Sequence, residues 1–241
     1  MKDSDILMKF LRMPLASSDA VFDEFARLDG AVLRGKAPGR FLYVRGSRAD
    51  RVLLVAHADT VWTPPVKAGR DSSPAQDVYI EEGVIQNRNG GLGADDRAGC
   101  AIVWLLRNSG HSILITDGEE YGLQGSSFLM AENPDIADEI NRTHQFCVQF
   151  DRRNSRDFKC YSVGTDEFRA YIAAETGYQE PDRHSCTDIV ELCRDICGVN
   201  FSIGYYKEHT DREYLVLDEW QSTLRTCKKW LTRKNLPRFT L

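Results

Sequence analysis

Seven side chains in this sequence combine acids with histidines in a pattern suited to holding metal. They are His57 and Asp59 in "HADTVW", Asp95 in "NGGLGADDRAG", Glu119 and Glu120 in "TDGEEYGLQGS", Asp151 in "QFDRR" and His209 in "GYYKEHTDREYL". Histidines and carboxylates brought to one place repel one another unless cations sit between them. Nitrogen and oxygen donors without cysteine suit zinc, with cobalt or manganese as alternatives, in a site that keeps a position open for water. Two such ions sharing one carboxylate form an arrangement that hydrolyses peptide-like bonds.

These residues need elements that bring them together. Apolar runs rich in β-formers lie at 41–46 ("FLYVRG"), 51–57 ("RVLLVAH"), 112–117 ("SILITD"), 145–151 ("QFCVQFD") and 199–206 ("VNFSIGYY"). Several lack clean alternation, as strands buried on both faces do. Helical patterns surround them at 4–12, 17–29 (capped by Ser17 or Ser18), 95–109, 124–141, 166–175, 187–197 and 214–233. Alternating strands and helices predict a mixed, mainly parallel central sheet with helices on both faces. Between 63 and 90, a Pro-rich loop leads into a hairpin turning at Glu82-Gly83. In an open α/β sheet, ligands bind beyond the carboxyl ends of the strands. His57, the acids at 117–120, Asp151 and His209 all fall at such ends, and the glycines before Asp95 let that loop approach them closely.

The chain has 241 residues, 42% hydrophobic, enough for one substantial core. Its 31 basic and 36 acidic residues give a net charge of −5, with no electrostatic reason to bind nucleic acid or an anionic membrane. The expected partner is a peptide or small amide. The N-terminal stretch is too polar for a signal peptide and no window reads as a membrane span, so a cytoplasmic location is expected. Seven irregularly spaced cysteines argue against a disulfide framework. Cys193 and Cys197, four apart on an expected helix, read as small core residues rather than ligands.

Taken in order, these motifs resemble those of the co-catalytic zinc aminopeptidase and carboxypeptidase clan, with its aminoacylase and dipeptidase relatives. The resemblance implies a zinc-aminopeptidase-like three-layer sandwich. It implies that His57 and Asp151 bind one ion, Glu120 and His209 the other, and that Asp95 bridges both with a cis peptide to Asp96. Asp59 would orient the His57 ring and Glu119 would be the general acid/base. Only 57 residues separate Asp151 from His209, too few for the lid or dimerisation domain of some relatives. Residues 1–241 are therefore expected to form a single catalytic domain of the aminopeptidase branch, acting on peptides with a free N-terminus. The alternatives are a deacylase or dipeptidase, or a non-catalytic relative that binds peptide.

Other candidates read as structural. His111, His144 and His184 are expected to be satisfied polar or surface residues. Asp96 and Asp117 suit a helix start and a loop, and Trp104, Trp220 and Trp230 suit packing. "NGGLG" lacks the endings of a nucleotide-binding loop. Ser185, Thr187 and Asp188 serve either as a helix cap or as a wall of the substrate pocket.

Overall fold

The computed structural model describes residues 2–62, 76–181 and 187–241. Helices α1 (Asp3–Leu11) and α2 (Asp19–Phe25) precede the paired strands β1 (Ala31–Lys36) and β2 (Gly39–Val44). Next come β3 (Leu53–His57), the hairpin β4 (Val78–Glu81) and β5 (Val84–Asn87), α3 (Ala94–Leu106) and β6 (Ser112–Thr116). Then follow α4 (Gln124–Glu132), α5 (Pro134–Thr143), β7 (Cys147–Arg152), β8 (Phe158–Lys159), α6 (Asp166–Thr176) and α7 (Asp188–Leu192). The chain finishes with β9 (Gly198–Ser202), β10 (Tyr205–Tyr206), β11 (Tyr214–Val216) and α8 (Leu217–Leu231).

Seven strands form the central sheet in the order β1-β2-β6-β3-β7-β9-β8. The β6-β3-β7-β9 centre is parallel and both margins are antiparallel. Every residue of β3 and β6 is buried, because successive side chains feed opposite cores. Leu54 and Ala56 join one core, with side chains from α1, α2, α3, α6 and α8. Leu53 and Val55 join the other, with α4, α5 and α7. This gives the three layers. Trp220 and Trp230 are almost wholly buried and Trp104 is largely so; Trp230 stacks on Phe146 with ring centroids 5.5 Å apart. Burying each such side chain contributes roughly 1.5–3 kcal/mol.

A second sheet, β10-β11-β5-β4, is antiparallel throughout. It divides the expected 199–206 strand: Gly204 takes φ +84°, and a Cβ there would meet Glu219 Cβ at 2.9 Å. The chain turns at this point, so β9 stays in the central sheet and β10 joins the small one.

Several expected elements are shorter or divided. The 124–141 helix breaks at Asn133, before Pro134, which cannot donate the next helical hydrogen bond. The 17–29 helix covers only 19–25; Ser17 Oγ accepts from Asp19 N, while Ser18 Oγ donates to Asp117 rather than capping. Residues 187–197 form one short helix that ends at Leu192, so Cys193 and Cys197 lie beyond it, both buried. Residues 214–216 of the expected C-terminal helix are strand β11. Strand β1, not expected from the sequence, is an edge strand with an exposed Arg/Lys-bearing face.

Candidate metal centre

The carboxyl ends of β3, β6 and β7 lie side by side and meet the start of α3 and the tip of the β10–β11 hairpin. His57 closes β3 with its ring fully buried. Its Nδ1 faces the Asp59 main-chain carbonyl at 3.1 Å and the Asp59 carboxylate at 3.4 Å. Its Nε2 lies 3.1 Å from Asp95 Oδ1 and 3.5 Å from Asp151 Oδ1. The other Asp95 oxygen, Oδ2, lies 3.2 Å from His209 Nε2, and Glu120 Oε1 lies 3.0 Å from the same nitrogen. Two triads result, His57–Asp95–Asp151 and Asp95–Glu120–His209, with Asp95 giving one oxygen to each.

The donor set fits two divalent cations. A ring nitrogen flanked by two carboxylate oxygens calls for positive charge between them, a proton on the bare ring or a bound cation. Glu120 Oε1 is buried and has no hydrogen-bond partner, despite its closeness to His209. Such an orphan is expected where an atom is aimed at an ion. The charges in the cluster act strongly on one another. Burial opposes a charge on His57, yet Asp151, Asp59 and Asp95 hold its pKa well above the ordinary imidazole value. The neighbouring carboxylates of Asp95 and Glu120 lift His209 to about 11. Burial pushes Asp95 upward, but bonding to His209 and His57 leaves it below the ordinary carboxylate range. Burial and the charge of Asp95 raise Asp151 to about 7. The cluster gathers positive charge wherever it can be held.

The surrounding polar groups are fixed in place. Asp59 accepts from Glu119 N at 3.1 Å and Glu120 N at 3.2 Å, so its carboxylate grips the segment carrying both glutamates. Asp151 accepts from Thr187 Oγ1 at 2.9 Å, Gln149 Nε2 at 3.3 Å and Tyr205 OH at 3.3 Å. Its main chain is bracketed by Asn200, which accepts from Asp151 N and donates to Asp151 O. The Asp95–Asp96 peptide is cis. Asp96 accepts from His57 N and Gly99 N, a structural role as expected. Burial raises Glu119 well above the ordinary carboxyl value; the charges of Asp151, Asp188 and Asp95 add to this and His57 opposes it.

Against this geometry the sequence was compared with known proteins. It matches the profile of peptidase family M28 over residues 42–179. The chain belongs to peptidase family M28. No curated protein matches the sequence. Among solved structures, it is similar to aminopeptidase PepT from Bacillus cereus, at 13% identity and TM-score 0.64, covering 95% of this chain and 97% of that one. It is also similar to a tripeptidase from Staphylococcus aureus, at 13% identity and TM-score 0.63, covering 96% and 98%. The TET1 peptidase of Pyrococcus horikoshii shares 15% identity and TM-score 0.63, covering 97% and 100%. At these identities the likeness establishes the fold.

Within this M28 chain, the other sequence candidates sort clearly. Asp117 is buried and paired with Arg40 Nε at 2.7 Å, away from the triads. His111 and His144 are buried structural residues, bonded to Leu231 O and to Ser112 Oγ and Ile140 O respectively. His184, Ser185 and Cys186 fall outside the described residues, as do residues 63–75 of the Pro-rich loop. Thr187 does not cap α7 with its side chain; its hydroxyl turns to Asp151. Asp188 accepts from the Thr116 and Ser126 hydroxyls, tying α7 to β6 and α4. Nothing in the sequence singles out Asn200 or Glu213, which both support the centre. The sequence signal for Glu213 is only an acid four residues after His209, and Asp211 lies closer, two residues after it. No helix of the described residues is long and apolar enough to cross a membrane.

Proposed function

We propose that this M28 peptidase is an aminopeptidase that uses two divalent cations, zinc in the first instance, in a single catalytic domain comprising residues 1–241. His57, Asp95 and Asp151 would hold one ion and Asp95, Glu120 and His209 the other. The observation that carries this reading is the pair of triads sharing Asp95. When bound, such ions supply Lewis acidity for a scissile carbonyl and make water acidic enough to attack at neutral pH.

The chain's own groups divide the remaining work. Glu119 is anchored through its N–H to Asp59 and directly precedes Glu120. Its carboxylate lies in a largely buried setting, suited to taking the proton of the attacking water and returning it to the leaving amine. The Asp59 main-chain carbonyl fixes the His57 ring so that Nε2 faces the first triad. Thr187 and Gln149 hold Asp151 through Oδ2, and Tyr205 donates to Oδ1, the oxygen that faces His57.

The test is elemental analysis of zinc-reconstituted protein alongside rates on matched free-amine and N-acetylated aminoacyl substrates. Two ions per chain with cleavage of the free-amine substrate are expected. A firm stoichiometry of one at millimolar zinc overturns the two-ion reading. Cleavage confined to acetylated substrates reassigns the chain to deacylation.

A further inference from the structure

Strand β11 ties the β10–β11 hairpin to β5, but the loop at its tip, which carries His209, meets the rest of the molecule through one buried residue, Glu213, and through an ion pair of Glu208 with Arg153. The base of the hairpin is paired, with Tyr205 opposite Leu215 and Tyr206 opposite Tyr214, the two tyrosine rings stacking at 5.1 Å. Beyond that base, residues 207 and 209–212 are all exposed, and His209 itself takes φ +63°, a left-handed conformation uncommon outside glycine. Burial therefore does not hold His209 in place. Glu213, at the end of the loop, is only 2% exposed.

The Glu213 carboxylate reaches the front of α3. Oε2 accepts from Gly93 N at 2.6 Å and Oε1 accepts from Asp95 N at 3.1 Å. These amides lie at the helix start, where no intrahelical acceptor exists for them. They also belong to the segment whose irregular backbone, with Gly93 at φ +66° and Asp95 at ψ 101°, aims the shared carboxylate at both histidines. One loop thus grips the bridging aspartate twice, through its side chain by His209 and through its main chain by Glu213.

We propose that Glu213 is a positioning residue for the second ion: it sets the Asp95 backbone and the His209 loop in a common register. This rests on the two-ion reading above. Of the first triad Glu213 touches only the shared Asp95, through its main chain, whereas in the second it supports both Asp95 and the loop of His209, so its removal should act more strongly on the second ion. Glu213→Gln keeps the shape but replaces one acceptor oxygen with an NH2 group facing an N–H donor. Glu213→Asp keeps the carboxyl group but shortens the reach by one methylene.

The experiment is a calorimetric titration of metal-free wild type, Glu213→Gln and Glu213→Asp with cobalt(II) alone, with His209→Ala as the benchmark for direct loss of a ligand. Metal-free melting temperatures are recorded in parallel. Both Glu213 variants should bind the second ion roughly 10–100-fold more weakly, the scale expected when a residue supporting a ligand is lost, and the first with a clearly smaller loss. Raising cobalt should refill their second site, whereas His209→Ala stays deficient. Equal binding of the second ion by wild type and both variants overturns the proposal. So does equal weakening of both ions with a lowered metal-free melting temperature, which marks a general structural role. Should Glu213→Gln not fold, Glu213→Asp decides by the same criteria. If the wild type itself binds only one ion, it is the two-ion reading that fails, recognisable without reference to either variant.

Discussion

Asp59→Asn is the substitution whose outcome the geometry constrains most. The buried Asp59 carboxylate accepts from Glu119 N and Glu120 N, and it also lies 3.4 Å from His57 Nδ1. Asparagine has the same shape but one acceptor oxygen; its NH2 must face either the Glu120 N–H or, at the other position, both the Glu119 N–H and His57 Nδ1, so the first orientation is favoured and the grip on Glu120 is lost. Hydrogen bonds to charged groups contribute about 1.5–3 kcal/mol. In a chain of this length each kcal/mol lowers the melting temperature by roughly 2–4 °C, so a fall of about 3–12 °C is expected.

The effect on metal should be uneven. His57 keeps its partner in the Asp59 main-chain carbonyl, so the first ion should bind almost unchanged. Glu120 loses the grip on its backbone, so the second should weaken about 10–100-fold, or about 1.4–2.8 kcal/mol. Differential scanning calorimetry and metal titration of the stripped protein measure both quantities. Wild-type affinity for both ions, with a melting temperature within a degree, would refute the reasoning. Loss of the first ion alone would show that the carboxylate acts on the His57 ring instead.

Three further outcomes are expected. Glu119→Gln should retain both ions while turnover falls about 10²–10⁴-fold, and Glu120→Gln should lose second-site occupancy, by elemental analysis and rate at fixed zinc; the reverse result exchanges their roles. Gly99→Ala should lower the melting temperature by at least the effect of about 1–3 kcal/mol typical of overpacking, because a Cβ there would lie 2.2 Å from both Asp96 Oδ1 and Phe150 O; a wild-type melt would refute this. Burial lowers His111 to about 4 and His144 to about 3, so both stay neutral in the fold while the unfolded chain takes up protons below about 6.5. Stability should therefore be intact above that pH and fall as the pH drops toward 4 and 3, by roughly 2 kcal/mol per histidine at pH 5. Melts of metal-free wild type and His144→Gln at pH 7 and pH 5 check this, and an unchanged slope in the variant counts against it.

The parts of the fold that the sequence announces are those where local composition and tertiary setting agree. "LLVAH" and "SILIT" are apolar throughout because both faces of β3 and β6 are buried, and this pattern survives without knowledge of their neighbours. Strand β1 is not announced, since "AVLRGK" lies at a sheet edge with a largely exposed face and carries Arg, Gly and Lys. The split of 199–206 depends on the packing of Gly204 against Glu219, a contact between residues that periodicity cannot join. The centre divides in the same way. Histidines and acids that end apolar runs stand out by position, and the structure brings His57, Asp95, Asp151, Glu120 and His209 together. Glu213 does not stand out, because its burial, unlike the exposure of Asp211, is decided by the α3 backbone it meets.

That division has a physical consequence for the centre itself. The first triad stands on the ends of adjacent parallel strands β3 and β7 and on α3; the side chains of His57, Asp151 and Asp95 are 0%, 8% and 10% exposed, and their orientation is set by the packing of the central sheet. The second borrows Asp95 from that rigid frame, but it needs a histidine that is 47% exposed on a hairpin of the other sheet. A ligand held by packing has little freedom to lose when an ion binds, whereas one on an exposed loop must be ordered at a cost to affinity. On the two-ion reading, the halves of the centre are thus unequal by construction. The buried half is set by folding, and the half that faces solvent depends on the few polar contacts that hold the hairpin, Glu120 and Asp95 in register.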